Sequence, residues 1–520
     1  MKNGLQVSKH GQQIARNASV VAVATLGSRI LGFVRDLIVA FALGAGMFAD
    51  AFFVAFRIPN LMRRLFGEGS LTMAFIPVYS RVREEEGEEA AQQMARSAMI
   101  WLGIILGALT VAVELAAGPV TLAIAPGFAD DSELFATTVS LVRICFPYVI
   151  FICGVALCMG ILNSHQRFLA PALAPAVLNV ALIIAALISH YAGYNVAYGM
   201  AYGVLAGGAA QLLMQQGALS RIGFRRRGRW SLFDPGVRRM GLLMLPTVFG
   251  AAVYQLNILL GTLLASFLPT GSVSYLYYAD RLVQFPLGVF GLAVSTAALP
   301  SLAALAAKGE MDDFGGALRS ANGLTLFIAL PAAAGLMALA EPVISVLFGH
   351  GKFGPEAVSS TASALIAYSA GLPFIALSRP LVSAFYALED TKTPVKIAVL
   401  CLFVNIGLGA WLMVPLKHVG LAVAVSAASL VNALLLFIFL RRRVSVAPVE
   451  GAVMLKAVLL STLIGAGAWY TGRFGAWSLA FIPVWAGVYF LGAHVTNMGE
   501  ARMFADVYRS ARRRLGRGRP

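Results

Sequence analysis

The sequence predicts an all-α integral membrane protein with fourteen transmembrane helices. Three observations carry that prediction: composition, run length and the placement of positive charge. Of 520 residues, 59% are hydrophobic and 12% are charged, and the mean hydropathy is +0.79. Soluble domains are about 45–50% apolar and about 25% charged, so this chain has too little polar surface to cover a water-soluble globule. A helix needs about 20 predominantly apolar residues to cross a bilayer. Fourteen runs qualify: 18–43, 48–82, 92–124, 135–162, 169–189, 196–219, 237–266, 272–306, 315–347, 358–387, 394–415, 419–440, 452–471 and 477–496. The second, third and eighth exceed a minimal span and must tilt, kink or project. Pro59 and Pro286 lie inside the second and eighth as expected kink points.

Lys and Arg outnumber Asp and Glu by 40 to 24, a formal net charge of +16. The excess lies where topology demands it. Lys2, Lys9 and Arg16 precede span one. Arg221, Arg225, Arg226, Arg227, Arg229, Arg238 and Arg239 follow span six. Arg441, Arg442 and Arg443 follow span twelve, and seven arginines from Arg502 to Arg519 follow span fourteen. With an even span count all of these share one side, so both termini are expected in the cytoplasm. A nucleic-acid role is not needed to explain the charge. No cleavable signal peptide is evident at the N-terminus. Cys145, Cys153, Cys158 and Cys401 lie in apolar runs and read as small buried hydrophobes.

An internal repeat runs through the chain. Pro77, Pro126 and Pro171 match Pro300, Gly349 and Pro394, each pair 223 positions apart. Gly199 and Gln211 then match Gly420 and Asn432 at a slightly shorter spacing. Six spans per repeat is an even number, so the two halves are expected to be parallel, related by an axis along the membrane normal. Such repeats are typical of transporters. The expected organisation is a six-helix bundle over 1–230, a second over 231–445, two additional helices over 446–498 and a basic cytoplasmic tail over 499–520. That tail mixes apolar and basic residues. It reads equally well as a leaflet-bound segment and as a purely topological one.

The stretch from Ser28 to Ser70 carries the chemistry. It holds Arg29, Arg35, Asp36, Asp50, Arg57, Arg63, Arg64 and Glu68 within apolar surroundings. A charge at the centre of a membrane helix costs roughly 2.5–3.5 kcal/mol on insertion scales, so such residues face a watery cavity or one another. Arg29 and Asp36 are seven apart and share a helix face, while Arg35 is expected about 100° away from Asp36. On a straight helix Asp50, Arg57, Arg64 and Glu68 form one stripe, and Pro59 makes that phasing uncertain. Span eight adds Asp280 and Arg281 near the repeat equivalent of Arg57, which suggests that each half contributes one wall of a shared site. Six arginines against four carboxylates leave a positive surplus. Arginine grips phosphate bidentately and stays ionised, so the expected ligand is an anion, phosphate or pyrophosphate. Internal ion pairing, or Arg63 and Arg64 reaching a headgroup layer, is the plainer reading of the same residues. No GxxxxGK[ST] motif occurs, and no metal or catalytic cluster can be assembled from the scattered histidines.

The segments SRILGFVRD, GAGMFADAFFVAFRIPNLMRRLFGEGSLTMAFIPVYS and YYADRLVQFPLGVFG together resemble the MurJ (MviN) family of lipid II flippases. That family lies in the multidrug/oligosaccharidyl-lipid/polysaccharide exporter superfamily. The resemblance implies a non-enzymatic flippase that moves undecaprenyl-pyrophosphate-linked peptidoglycan precursor from the inner to the outer leaflet of the bacterial cytoplasmic membrane. It implies that Arg29, Arg35, Asp50, Arg63 and Arg281 are cavity charges; Arg57 stands where members place a basic residue and is expected with them, Asp36 and Glu68 belong to the same motifs, and these two with Arg64 and Asp280 are expected in supporting ion pairs. It also implies a lipid-tail groove leading to spans thirteen and fourteen, a monomer, no cofactor, and lipid II and membrane lipids as partners. Spans seven, eleven and twelve lack acidic residues, which leaves coupling to an ion or to the membrane potential open. The alternatives are an exporter of another lipid-linked glycan and a multidrug antiporter of the same superfamily.

Overall fold

The computed structural model describes residues 2–65, 71–225, 227–288, 292–444 and 450–502, and among these every regular element is helical. Glu68 and residues 503–520 of the basic tail lie outside the described residues. Nine helices among those described are long and apolar enough to cross a membrane.

The helices follow the sequence-read runs and resolve their interiors. In the N-terminal part they are α1 (Lys2–Leu43), α2 (Met47–Met62), α3 (Leu71–Glu85), α4 (Glu88–Leu115), α5 (Ala117–Ile124), α6 (Ser132–Cys145), α7 (Tyr148–Ser164), α8 (Leu169–Tyr191), α9 (Val196–Arg221) and α10 (Pro235–Ser266). The long second run is thus two helices, and so is the long third. Beyond them come α11 (Ser272–Pro286), α12 (Leu292–Lys308), α13 (Met311–Ala338), α14 (Ala340–Phe348), α15 (Pro355–Ala387), α16 (Lys392–Arg441), α17 (Gly451–Gly472) and α18 (Ile482–Val495). Lys417 has φ +51° inside α16 and divides it in two, between the runs read as ending at 415 and starting at 419.

Several starts are dictated by a short polar side chain placed before an apolar run, which satisfies N–H groups that the first turn leaves open. Asp131 accepts the N–H of Glu133 and Leu134 before α6. Asn195 accepts that of Ala197 before α9, Asp234 those of Gly236 and Val237 before α10, and Asp390 those of Lys392 and Thr393 before α16.

The chain divides into two compact units. The first comprises Met1–Ser274 and Gly351–Phe353. Here α1 packs on α8, and α8 on α9. The α8–α9 seam is set by Gly199, Gly203 and Gly207, one per helical turn. A Cβ on Gly203 would stand 2.5 Å from the Ala185 Cβ, and one on Gly207 would stand 2.8 Å from a Leu178 methyl. Small residues at this spacing let two membrane helices approach closely. A core of Phe75, Tyr79, Met94, Leu157, Ile161 and Leu219 joins α3, α4, α7 and α9. By packing, α10 belongs to this unit, because it lies on α3 and α4; the sequence repeat alone would begin the second bundle at residue 231.

The second unit comprises Tyr275–His350 and Gly354–Pro520. One core joins α12, α13, α15 and α16 through Leu302, Phe314, Phe385, Ile397 and Leu436. A second joins α13 to α17 and α18 through Phe327, Ile464 and Tyr489. The Tyr489 hydroxyl donates to the Phe327 carbonyl at 2.8 Å, and Lys456 Nζ donates to the Thr496 carbonyl at 2.9 Å. Leu455, Leu459, Leu463, Trp469, Val484 and Leu491 remain exposed on these last two helices, as expected of surface that meets lipid. Cys145, Cys153, Cys158 and Cys401 are buried and unbridged.

Candidate phosphate-binding charges

On α1, Arg35 and Asp36 form an ion pair although they are neighbours in sequence. The expectation that Arg35 points away from Asp36 is corrected here. The Cα–Cβ vectors do diverge, but the long guanidinium turns back and reaches the carboxylate with Nε at 3.1 Å and Nη2 at 2.7 Å. Its third contact is Nη1 to Asn179 Oδ1 of α8 at 2.9 Å. Asn179 Nδ2 in turn donates to the Ser28 carbonyl at 3.2 Å. Gly32 leaves room for this, since a Cβ there would lie 3.4 Å from the Asn179 amide. Asp36 is buried and Arg35 half-buried, so the pair and its amide partner tie α1 to α8. Arg29 is exposed on the same helix.

Asp50 sits at the start of α2 and is 1% exposed. Its carboxylate accepts the N–H of Gly271 at 2.6 Å, the N–H of Ser274 at 2.8 Å and the Ser274 hydroxyl. It therefore supplies the N-cap of α11 from another helix, a job invisible in local sequence because α11 begins at Ser272 without an Asp or Asn of its own nearby.

Further along α2, Arg57 is half-buried. The helix passes Pro59 and then widens into a π turn over residues 63–65. A π turn inserts a residue into the helical repeat, so Arg64 does not continue in phase the straight-helix stripe of Asp50 and Arg57. Arg63 and Arg64 are both half-buried in this turn, and Arg63 Nε donates to Asn60 Oδ1 at 3.0 Å. In the second unit, the Arg281 guanidinium lies over the Tyr277 ring at 4.6 Å, a cation–π contact one turn back on α11. Asp280 accepts from Gln284 Nε2 at 3.3 Å. Arg379 Nη1 donates to the Leu287 carbonyl at 3.1 Å, which gives that arginine a structural role.

Between Ser28 and Leu65 there are five arginines and two carboxylates. Asp36 is engaged by Arg35, and Asp50 by N–H and O–H donors. Asn179, Asn60 and Ser274 were not singled out by sequence reasoning. For Asn179 a signal existed, an amide inside the apolar run PAVLNVALIIAAL, because polar residues in membrane helices commonly bridge to neighbours. Among the described residues no group of acidic, His and Cys side chains is placed to hold a metal.

The family model described as "Lipid II flippase MurJ" matches residues 39–486. The chain belongs to the MurJ family. It is 36% identical over 481 residues to the probable lipid II flippase MurJ of Vibrio cholerae, with 91% of each chain covered. It is 37% identical to the lipid II flippase MurJ of Burkholderia cenocepacia, covering 81% of this chain and 82% of that one. A solved structure titled "Lipid II flippase MurJ, inward closed conformation" superposes with a TM-score of 0.79 at 27% identity, over 92% of this chain and 98% of the other. An inward-facing multidrug transporter of the MATE family and MOP superfamily superposes with a TM-score of 0.67 at 16% identity, covering 82% of this chain and 98% of the other. That second likeness is one of fold.

Proposed function

We propose that this protein is the flippase for the prenyl-pyrophosphate-linked peptidoglycan precursor, lipid II, in the bacterial cytoplasmic membrane. The observation that carries this reading is a MurJ family match across 39–486, which overlaps a charged stretch of five arginines against two carboxylates between residues 28 and 65. Arg29, Arg35, Arg57, Arg63 and Arg281 are proposed to replace the hydration of the pyrophosphate, and Arg64 to support them. Arg35 does so while held by Asp36 and Asn179. Asp50 joins these arginines while it caps α11, and Asp280 supports them. The residues move a charged headgroup without making or breaking a covalent bond, by exposing the site to each side of the membrane in turn.

The finer architecture belongs to the same proposal: fourteen spans, both termini cytoplasmic, a monomer, and two parallel six-span repeats. Helix starts support the repeat. Glu88 and Met311, Ala117 and Ala340, Ser132 and Pro355, and Leu169 and Lys392 each lie 223 positions apart, the offset read from the prolines. The exposed apolar faces of α17 and α18 support a role for these two helices in holding the prenyl tail.

The test is complementation of a cell depleted of its own lipid II flippase, read by lipid II in the inner leaflet. Clearance of the accumulated lipid is expected. Accumulation that persists with the protein present in the membrane, together with transport of a different lipid-linked glycan, would favour the neighbouring exporter reading.

A further inference from the structure

The segment between α9 and α10 is fixed to one face of α4 by side chains that bind its backbone. Gln92 donates to the Gly223 carbonyl at 3.4 Å and accepts the Arg225 N–H at 3.1 Å. Arg96 is 6% exposed. Its Nη1 donates to the Arg225 carbonyl and its Nε to the Arg229 carbonyl, both at 2.9 Å. Ser97 Oγ accepts the Ser231 N–H at 2.9 Å, and Trp101 Nε1 donates to the Leu232 carbonyl at 2.7 Å. Gly228 crosses directly above Arg96 with φ +157°, where a Cβ would stand 2.9 Å from the guanidinium carbon. The Arg225 and Arg229 carbonyls face the buried Arg96, and the side chains of Arg225, Arg227 and Arg229 are left exposed. So are Trp230, Leu232 and Phe233, with Phe233 86% exposed.

Topology asks only for positive charge in this loop, and a mobile loop would meet that need. Here four side chains of α4, Gln92, Arg96, Ser97 and Trp101, build a platform that presents three arginines beside two aromatic rings and a leucine. Water is a poor partner for the second set. Apolar rings flanked by basic residues match the boundary of an anionic bilayer, where the rings enter the headgroup layer and the arginines meet phosphate. We infer that Arg225, Arg227, Arg229, Trp230, Leu232 and Phe233 form a docking surface for anionic phospholipid headgroups of the leaflet that they face. That this leaflet is the cytoplasmic one rests on the orientation proposed above; lipid binding itself does not.

The experiment is titration of the detergent-purified full chain with phosphatidylglycerol, and separately with phosphatidylcholine of the same acyl chains, followed by native mass spectrometry. A basic residue at an anionic surface contributes roughly a five-fold factor in binding, so the R225A/R227A/R229A variant should lose affinity for phosphatidylglycerol on the order of 100-fold. Its affinity for phosphatidylcholine should stay unchanged. The R225K/R227K/R229K variant keeps charge and backbone, and should bind within a few-fold of the original chain. It also serves if the alanine variant does not fold, because full loss of binding in the lysine variant would overturn a headgroup-charge mechanism. Equal phosphatidylglycerol binding by the original chain and the alanine variant would overturn the inference. So would displacement of the lipid by millimolar inorganic phosphate, which would mark a site for any small anion. Because the readout needs no transport, a failure of the flippase reading would leave it standing.

Discussion

The carboxylate of Asp50 receives the backbone N–H of Ser274, 224 residues away, at 2.8 Å. With the Gly271 N–H and the Ser274 hydroxyl on the same carboxylate, α2 caps the first turn of α11. An acidic residue in the middle of an apolar chain is thereby given a structural partner set made wholly of donors. Asp50→Ala removes the acceptor and leaves buried N–H groups without one, a loss of about 1–3 kcal/mol. Asp50→Asn keeps one oxygen and should fall between. Thermal unfolding of the purified protein in detergent checks this. An Asp50→Ala melting temperature equal to that of the original chain would remove the capping account.

Asn179 links Arg35 to the Ser28 carbonyl. Asn179→Ala should lower stability by about 1 kcal/mol for each neutral bond lost and somewhat more for the one to the guanidinium. Asp36→Ala should cost more, because it leaves a half-buried guanidinium without its carboxylate. Replacing Arg35 and Asp36 together should therefore be milder than replacing Asp36 alone. Unfolding midpoints of the three variants test the coupling, and simple additivity would argue against it.

Close packing at Gly203 gives a third expectation. A Cβ there meets the Ala185 Cβ at 2.5 Å, and neither atom can swing away as the end of a flexible side chain does. Gly203→Val should separate α8 from α9 and sharply reduce folded protein on size-exclusion chromatography. The exposed Gly217 on the same helix has open space around it, and Gly217→Val should be tolerated.

Asp390 supplies a pH dependence outside the membrane spans. Its carboxyl is held below the ordinary carboxylate value by the Thr393 hydroxyl and N–H, with Arg443 adding to them. A depressed folded-state value means that the ionised form is the stabilising one. The contribution is complete above the unfolded value of about 3.9 and is lost as pH falls below it. Melting temperature should drop more steeply below about pH 4 for the original chain than for Asp390→Asn. Parallel pH profiles would show that the cap carries no charge-dependent stability.

Much of this structure was legible in the sequence because membrane helices announce themselves through long apolar runs. The break at Lys417, the Asp and Asn caps, the buried cysteines and the regular 223-residue offset of the helix starts all had local signals. The charged stretch was less transparent. Helical phase placed Arg35 away from Asp36, yet a side chain of that length is not bound by the direction of its Cβ. The π turn at 63–65 cannot be read from Pro59 alone, and it shifts Arg64 out of the straight-helix phase. The capping bonds of Asp50 had no local signal, because its donors lie on a helix distant in sequence. The role of Arg96 had no local signal, since the carbonyls that it binds come from the loop after α9.

The central claim is that Arg29, Arg63 and Arg281 act on a phosphate group and not on the fold. The most direct measurement is lipid II translocation in a flippase-depleted cell, taken together with the amount of protein in the membrane, for each alanine and lysine variant. Alanine at each position should abolish translocation with the protein level unchanged. Lysine should retain part of the activity at one or more positions, since it keeps the charge and loses the planar fork. Normal translocation in all three alanine variants would contradict the account, and loss of the protein itself alongside activity would assign these arginines to structural ion pairing.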